Sequence, residues 1–189
     1  GLNRAVGDHN KTTPGEILDD LNDSVTGTLR QQEDQNAVKD GMDLALCSID
    51  LKSRILQYAG ANNPLYVIRS CKEPHIEGRE ITITNDEYNL FEYKADKQPI
   101  GSYLEHSKFT THTIQLLKDD AVYIFSDGFA DQFGGERGKK FKYKPFKQLL
   151  LNNQQKPLNI QQDLLDEAIE KWRGELEQID DICIIGMRV

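Results

Sequence analysis

The sequence predicts an α+β domain in which antiparallel sheets are layered against helices. Two observations carry this. Patterned segments run in the order helix, a block of short strands joined by turn signals, two helices and a last strand. The strand–helix alternation that a parallel sheet requires is missing. The chain has 189 residues, a length suited to one domain over 1–189, with residues 1–12 a polar loop or frayed start.

Taken in order, Thr13-Pro14-Gly15-Glu16 reads as a helix entry. It offers a hydroxyl cap, proline at the first helical position and a glutamate three residues after the cap. Ile17, Leu18, Leu21, Val25 and Leu29 then recur at helical spacing, which predicts a helix over 14–31. Gln31 to Lys39 is a polar connector. The run Leu44–Ile49, the polar turn at Asp50–Ser53 and the return run Arg54–Ala59 read as a hairpin. Gly60–Pro64 is a dense turn signal before a third strand at Leu65–Arg69. Weaker strands are expected at 80–84 and 90–93, and a further one within 108–117. Ala121–Phe125 is the strongest strand pattern and runs directly into Ser126-Asp127-Gly128. Residues 134–144, rich in Gly and Lys, read as an exposed loop. Helices are expected at 145–153 and 160–174, the second burying Leu164, Leu165, Ala168, Ile169 and Trp172. Residues 182–189 form the final strand.

Composition excludes several classes of function. The 31 acidic residues against 23 basic ones give a net charge of −8, so no nucleic-acid partner is expected, because phosphate neutralisation needs clustered Lys and Arg. Apolar residues make up 38% and charged ones 29%, enough core formers for a folded chain. Unbroken apolar runs stay far below the length that spans a bilayer, and no secretory leader is read at the start. Cys47, Cys71 and Cys183 are scattered without a C-x-x-C pair, so a disulfide framework is not expected and a reducing cytoplasm is.

Asp127 follows the strand at 121–125, while Asp180 and Asp181 precede the strand at 182–185. Were those strands antiparallel neighbours, the acids would meet at one rim of the sheet. Gathered carboxylates repel one another, and a divalent cation relieves the repulsion. Oxygen-only ligands favour Mg²⁺ or Mn²⁺, ions that orient and deprotonate water for attack on a phosphoryl group. By spacing alone, an ordinary Asp-Gly turn after one strand and a solvated start to the other are the favoured reading.

Five segments occur in a telling order: Asp40-Gly41-Met42-Asp43-Leu44-Ala45-Leu46-Cys47, Tyr58-Ala59-Gly60-Ala61-Asn62-Asn63-Pro64-Leu65, Lys97-Gln98-Pro99-Ile100-Gly101, Phe125-Ser126-Asp127-Gly128-Phe129-Ala130-Asp131-Gln132-Phe133-Gly134-Gly135, and Gln178-Ile179-Asp180-Asp181-Ile182-Cys183. Together they resemble the SpoIIE-type serine phosphatases of the metal-dependent PPM superfamily, from about residue 13 to the end. The resemblance implies an α-β-β-α sandwich of antiparallel sheets with a two-metal Mn²⁺ or Mg²⁺ centre. It implies hydrolysis of phosphoserine or phosphothreonine on proteins, often anti-sigma-factor antagonists of the STAS class. By position, Asp127 and Asp180 would be metal ligands, with Asp181 an alternative ligand or supporting neighbour. Gly128, Asp43 and Lys97 would lie near the metals or the substrate.

Two acidic motifs of that family, a Gly-Asp on the first strands and an Asp-x-x-Gly-His-Gly turn, have no counterpart here. Gly7-Asp8-His9 sits before the first matched helix with no apolar strand ahead of it, and does not replace them. The expectation is the C-terminal part of a larger phosphatase lacking its N-terminal strands. Its metal site would be incomplete and its own activity weak or absent. The parent protein could carry an upstream sensor or membrane region. Exposed sheet edges would favour a homodimer. A non-catalytic protein-binding module that keeps the fold is the alternative.

Other features read more plainly. Asp40 and Asp43 are expected to support the structure. Asn62 and Asn63 are expected to fix a turn. Lys97 is an exposed loop lysine or a phosphate contact. The basic stretch 137–144 is a solvated surface or a seat for an acidic partner. His9, His75, His106 and His112 share no ligand spacing. Cys47 and Cys183 are expected in the core. Ser126 lacks the glycine two residues earlier that a nucleophile elbow needs, since Ile124 stands there.

Overall fold

The computed structural model describes residues 4–8, 11–30, 41–101 and 107–189. The expected connector 31–39, together with Asp40, His9 and His106, lies outside the described residues. The chain divides into two compact units, Gly1–Leu65 with Tyr93–Leu116, and Tyr66–Glu92 with Leu117–Val189. Among the described residues no helix is long and apolar enough to cross a membrane.

In the first unit a π-helical turn covers Arg4–Asp8, where only loop was expected. Helix α1 follows over Pro14–Arg30. Its entry is built as the sequence implies, with the Glu16 carboxylate accepting from the Thr13 hydroxyl at 2.8 Å and from the Thr13 N–H at 3.3 Å. Those two bonds, the hydroxyl first, hold the Glu16 carboxyl below its usual value. Strands β1 (Leu44–Asp50), β2 (Ile55–Ala61) and β6 (His112–Gln115) form a three-stranded antiparallel sheet with β2 at its centre. Leu18 and Leu21 of α1 pack on Ala59 and Ala61 of β2, together with Ile100 and Phe109. Polar ties fix the helix on this sheet. Asp19 accepts the Phe109 N–H at 2.9 Å, and Asn22 accepts that of Gly101 at 2.8 Å.

The second unit holds a five-stranded sheet in the order β10-β7-β3-β5-β4. Its strands are β3 (Leu65–Ser70), β4 (Ile83–Thr84), β5 (Tyr88–Tyr93), β7 (Ala121–Phe125) and β10 (Ile184–Arg188). Helices α3 (Tyr143–Asn152) and α4 (Leu158–Arg173) cover it. Phe146, Leu150 and Leu151 of α3 and Ile169 of α4 share one core with Tyr66, Ile68, Leu90, Tyr123, Phe125 and Phe129. Of the stripe expected on α4 only Ile169 is fully buried. Leu165 and Trp172 cover the edge of the core, while the buried Gln161 accepts from the Tyr123 hydroxyl at 2.6 Å.

Several boundaries move for physical reasons. Helix α3 begins two residues before Pro145, because a proline in the first turn has no helical partner to lose. Helix α4 starts directly after Pro157 and ends at Gly174, whose φ of 58° a glycine adopts without strain. A four-residue helix α2 (Gly128–Asp131) is too short to show a period. The stretch expected as loop contains a small hairpin, β8 (Phe133–Gly134) with β9 (Lys139–Lys140). The last strand begins at Ile184 rather than 182.

One buried ion pair locks the base of the second unit. The Arg69 guanidinium meets Asp120 through Nε at 3.0 Å and Nη2 at 2.6 Å, with the side chains 5% and 1% exposed. Asp120 also accepts the Leu117 N–H at 2.8 Å, and Arg69 donates to the Pro74 carbonyl at 3.0 Å. Removing one partner strands a buried charge. Asp120→Ala is therefore expected to lose about 3–5 kcal/mol in urea unfolding, and Arg69→Met with Asp120→Leu together to recover most of it. Glu16 gives a pH test. Its depressed pKa stabilises α1 fully above the ordinary glutamate range, and that contribution fades as pH falls through the lowered value. In acid titrations followed by circular dichroism, Glu16→Gln is expected to remove this part of the dependence.

Candidate functional site

The pairing of β7 with β10 decides where the acids stand. The strands are antiparallel, with Phe125 opposite Ile184 and Ala121 opposite Arg188. The residues after β7 therefore meet those before β10. The Ser126 N–H continues the ladder to the Cys183 carbonyl at 2.9 Å. Its hydroxyl then donates to the Asp181 carbonyl at 2.7 Å and accepts the Cys183 N–H at 2.9 Å. Ser126 is thus a staple between two chain segments, a role the sequence reading missed.

Gly128 closes the same junction from the other side of Asp127. A Cβ there would stand 2.5 Å from the Asp181 carbonyl oxygen and 2.9 Å from its carbon, so only glycine fits. Asp127 lies between two residues that both touch the Asp181 main chain. It stands at the N-cap of α2 without a side-chain capping bond, and its carbonyl accepts the Asp131 N–H at 2.9 Å. Asp180 and Asp181 are exposed. The Asp180 carboxylate accepts the Asp181 N–H at 2.7 Å, which fixes the turn.

The approach to Asp180 is held by Gln132, which is fully buried. Its side-chain amide donates to the Glu177 carbonyl at 3.0 Å, and its side-chain oxygen faces the Ile179 N–H at 3.4 Å. Its main-chain oxygen accepts from the Trp172 indole at 3.0 Å. A buried glutamine must satisfy all its polar atoms, and doing so here places 177–179. The only sequence sign of this role is a glutamine one residue beyond the short helix.

Asp43 and Lys97 belong to the first unit. Asp43 is exposed and accepts from the Asn62 side-chain amide at 2.8 Å. Asn62 adopts a left-handed φ of 59°, the turn role expected of it. Lys97 is exposed. Beside it Gln98 clamps Ser107, donating to its carbonyl at 2.7 Å and accepting its N–H at 3.1 Å. His75 packs edge-on to Phe91, and His112 stacks on Tyr58. Cys47 is half-buried, and burial pushes its thiol up to about 12. Cys183, expected in the core, is exposed because it precedes the regular part of β10.

Asp127, Asp180 and Asp181 suit a hard divalent ion in donor chemistry, and the junction brings the main chains of 127 and 181 together. Among the described residues, no three His, Cys, Asp or Glu side chains are grouped to hold one metal ion.

Comparison with known proteins agrees with this architecture. The family model for Stage II sporulation protein E (SpoIIE) matches residues 2–189. The SiaA-PP2C domain of Pseudomonas aeruginosa superposes with a TM-score of 0.76 at 26% identity, covering 100% of this chain and 65% of that one. The manganese-presoaked SpoIIE phosphatase domain from Bacillus subtilis gives 0.53 at 15% identity, over 95% and 74% of the two chains. RsbX in complex with magnesium gives 0.55 at 13%, over 96% and 67%. The last two likenesses show the fold alone. The chain thus spans about 65% of the length of the SiaA-PP2C domain. No curated protein matches it.

The staple makes a measurable difference. Ser126→Ala leaves the Cys183 N–H and the Asp181 carbonyl without their hydroxyl partner. It is expected to cost about 0.5–1.5 kcal/mol and to speed amide exchange at Cys183 while leaving exchange in α1 unchanged. Gln132→Leu is expected to loosen 177–179 in the same measurement.

Proposed function

Because the chain belongs to the stage II sporulation protein E (SpoIIE) family, we propose that it is the C-terminal catalytic part of a metal-dependent protein-serine/threonine phosphatase. The observation that carries this reading is the junction of β7 and β10, where Ser126 and Gly128 hold the Asp181 main chain on both sides of Asp127. In this reading Asp127 and Asp180 bind Mn²⁺ or Mg²⁺, with Asp181 as neighbour or alternative ligand. A divalent ion bound there supplies positive charge to the phosphoryl oxygens and Lewis acidity for activating water.

The chain's own residues do the positioning. Ser126 bonds Asp181, Gly128 leaves room for its main chain, and Gln132 fixes the segment leading to Asp180. Preorganisation of this kind spares the site a reorganisation when charge develops in the transition state. The sequence has no counterpart of the family's two upstream acidic motifs, so the same proposal places turnover by this chain alone well below that of a longer form containing them. A phosphoserine or phosphothreonine protein of the STAS class, in the cytoplasm, is the substrate in this reading.

A homodimer belongs to the proposal as well. Strand β10 is outermost in its sheet, and its Ile185 is 58% exposed. A monodisperse monomer by light scattering at high concentration would remove that part.

The chemistry is tested by Mn²⁺ titration and by hydrolysis of p-nitrophenyl phosphate, on this chain and on an upstream-extended form. Asp127→Asn and Asp180→Asn are each expected to weaken Mn²⁺ binding about tenfold or more, since each removes a charged oxygen ligand. They are also expected to abolish hydrolysis by the extended form. Unchanged metal binding in Asp127→Asn, with an inert extended form, would overturn the reading.

A further inference from the structure

The β8–β9 hairpin and the residues that lead from it into the first turn of α3 carry a charge opposite to that of the chain as a whole. Acidic residues outnumber basic ones by 31 to 23 overall, yet from Arg137 to Lys144 there are five basic residues and no acidic one. Arg137, Lys139, Lys140, Lys142 and Lys144 are all exposed. A charge run of this kind is ordinarily a solvated, mobile loop. This one is built. Phe133 pairs with Lys140 and Gly134 with Lys139. The Gly135 N–H bonds the Trp172 carbonyl at 2.8 Å, and a Cβ on Gly134 would collide with that same carbonyl. Phe141 sets its ring edge-on to Phe129 at 5.1 Å and to Trp172 at 5.4 Å. Among the described residues Lys140 alone of the five pairs with a carboxylate, that of Asp131 at 2.7 Å.

The hairpin is also tied to the element that carries the candidate metal ligand. The Lys142 N–H bonds the Ala130 carbonyl at 2.7 Å, and the Phe141 N–H bonds that of Gln132 at 2.9 Å. Ala130 belongs to α2, whose N-cap is Asp127, about 4.5 Å away along the helix at 1.5 Å per residue. A turn of aspartates suited to a cation and a rigid cationic hairpin thus share one short helix. A ligand that satisfies both offers a phosphoryl group to the first and carboxylates to the second.

We propose that the β8–β9 hairpin, together with the turn that leads from it into α3, is the docking surface for an acidic stretch of the phosphoprotein substrate, beside its phosphorylated residue. This rests on the phosphatase reading and adds to it the charge character of the substrate. Exposed charges act mainly on encounter and are screened by salt, so docking of this kind weakens as ionic strength rises.

The test is fluorescence anisotropy in chelator, so that no hydrolysis intervenes. The probe is a short labelled peptide with phosphoserine flanked by aspartates, against one with the flanks neutral. Arg137→Glu, Lys139→Glu and Lys144→Glu combined are expected to weaken acidic-peptide binding about tenfold or more and to flatten its salt dependence. The corresponding Gln substitutions should fall between this variant and the unaltered chain. Charge reversal at Lys52 and Lys118, exposed elsewhere, should change binding less than about twofold. Undiminished binding by the triple Glu variant, or equal binding of the two peptides by the unaltered chain, would overturn the proposal. So would tighter binding of duplex DNA or phosphatidylserine vesicles than of the acidic peptide. Hydrolysis of p-nitrophenyl phosphate is followed separately, so failure of the phosphatase reading and failure of the docking surface give different results.

Discussion

The site depends on the antiparallel pairing of β7 and β10, and on that pairing being held at both ends. At one end the Ser126 hydroxyl bonds Asp181 and Cys183. At the other, the Asp119 N–H bonds the Val189 carbonyl at 2.7 Å, and the Val189 N–H bonds that of Asp120 at 3.0 Å. Asp120 in turn is fixed by the buried Arg69. A register slip of one residue would turn every side chain of β10 to the other face. It would also move Asp181 away from Gly128. The ion pair at the base and the staple at the rim therefore protect the same quantity, the position of the 180–181 turn against Asp127.

Around this ladder the second unit layers its support. Phe129 of α2 packs into the aromatic core with Tyr66, Phe125 and Phe146. Gln132 and Trp172 then carry the constraint outward, one to the segment before Asp180 and the other to the basic hairpin. Buried polar groups are costly unless fully satisfied. The glutamine therefore makes a more specific anchor for a loop than an apolar side chain of its size.

Much of this was legible in the sequence wherever a period or a punctuation residue announced it. The capped start of α1, the hairpin at 44–59 and the strands at 121–125 and 182–189 follow from apolar spacing and turn chemistry, although β2 runs on to Ala61, into what reads as turn. The approach of the residues flanking Asp127 to the Asp181 main chain followed from assuming those last two strands to be antiparallel neighbours. Less legible were elements too short for any period, α2 and the β8–β9 hairpin, and interactions between distant residues. Nothing local to Ser126, Gln132 or Arg69 signals a partner dozens of residues away. Cys183 misled because its apolar neighbours imitate a strand interior, whereas its backbone is engaged with Ser126 outside the regular ladder.

The most direct test of the account is a Mn²⁺ titration followed by paramagnetic broadening of assigned amide signals. The amides of 126–128 and 180–183 are expected to broaden together at the lowest metal concentrations, while those of β4 remain sharp. Broadening of one segment without the other, or broadening centred elsewhere in the chain, would contradict it.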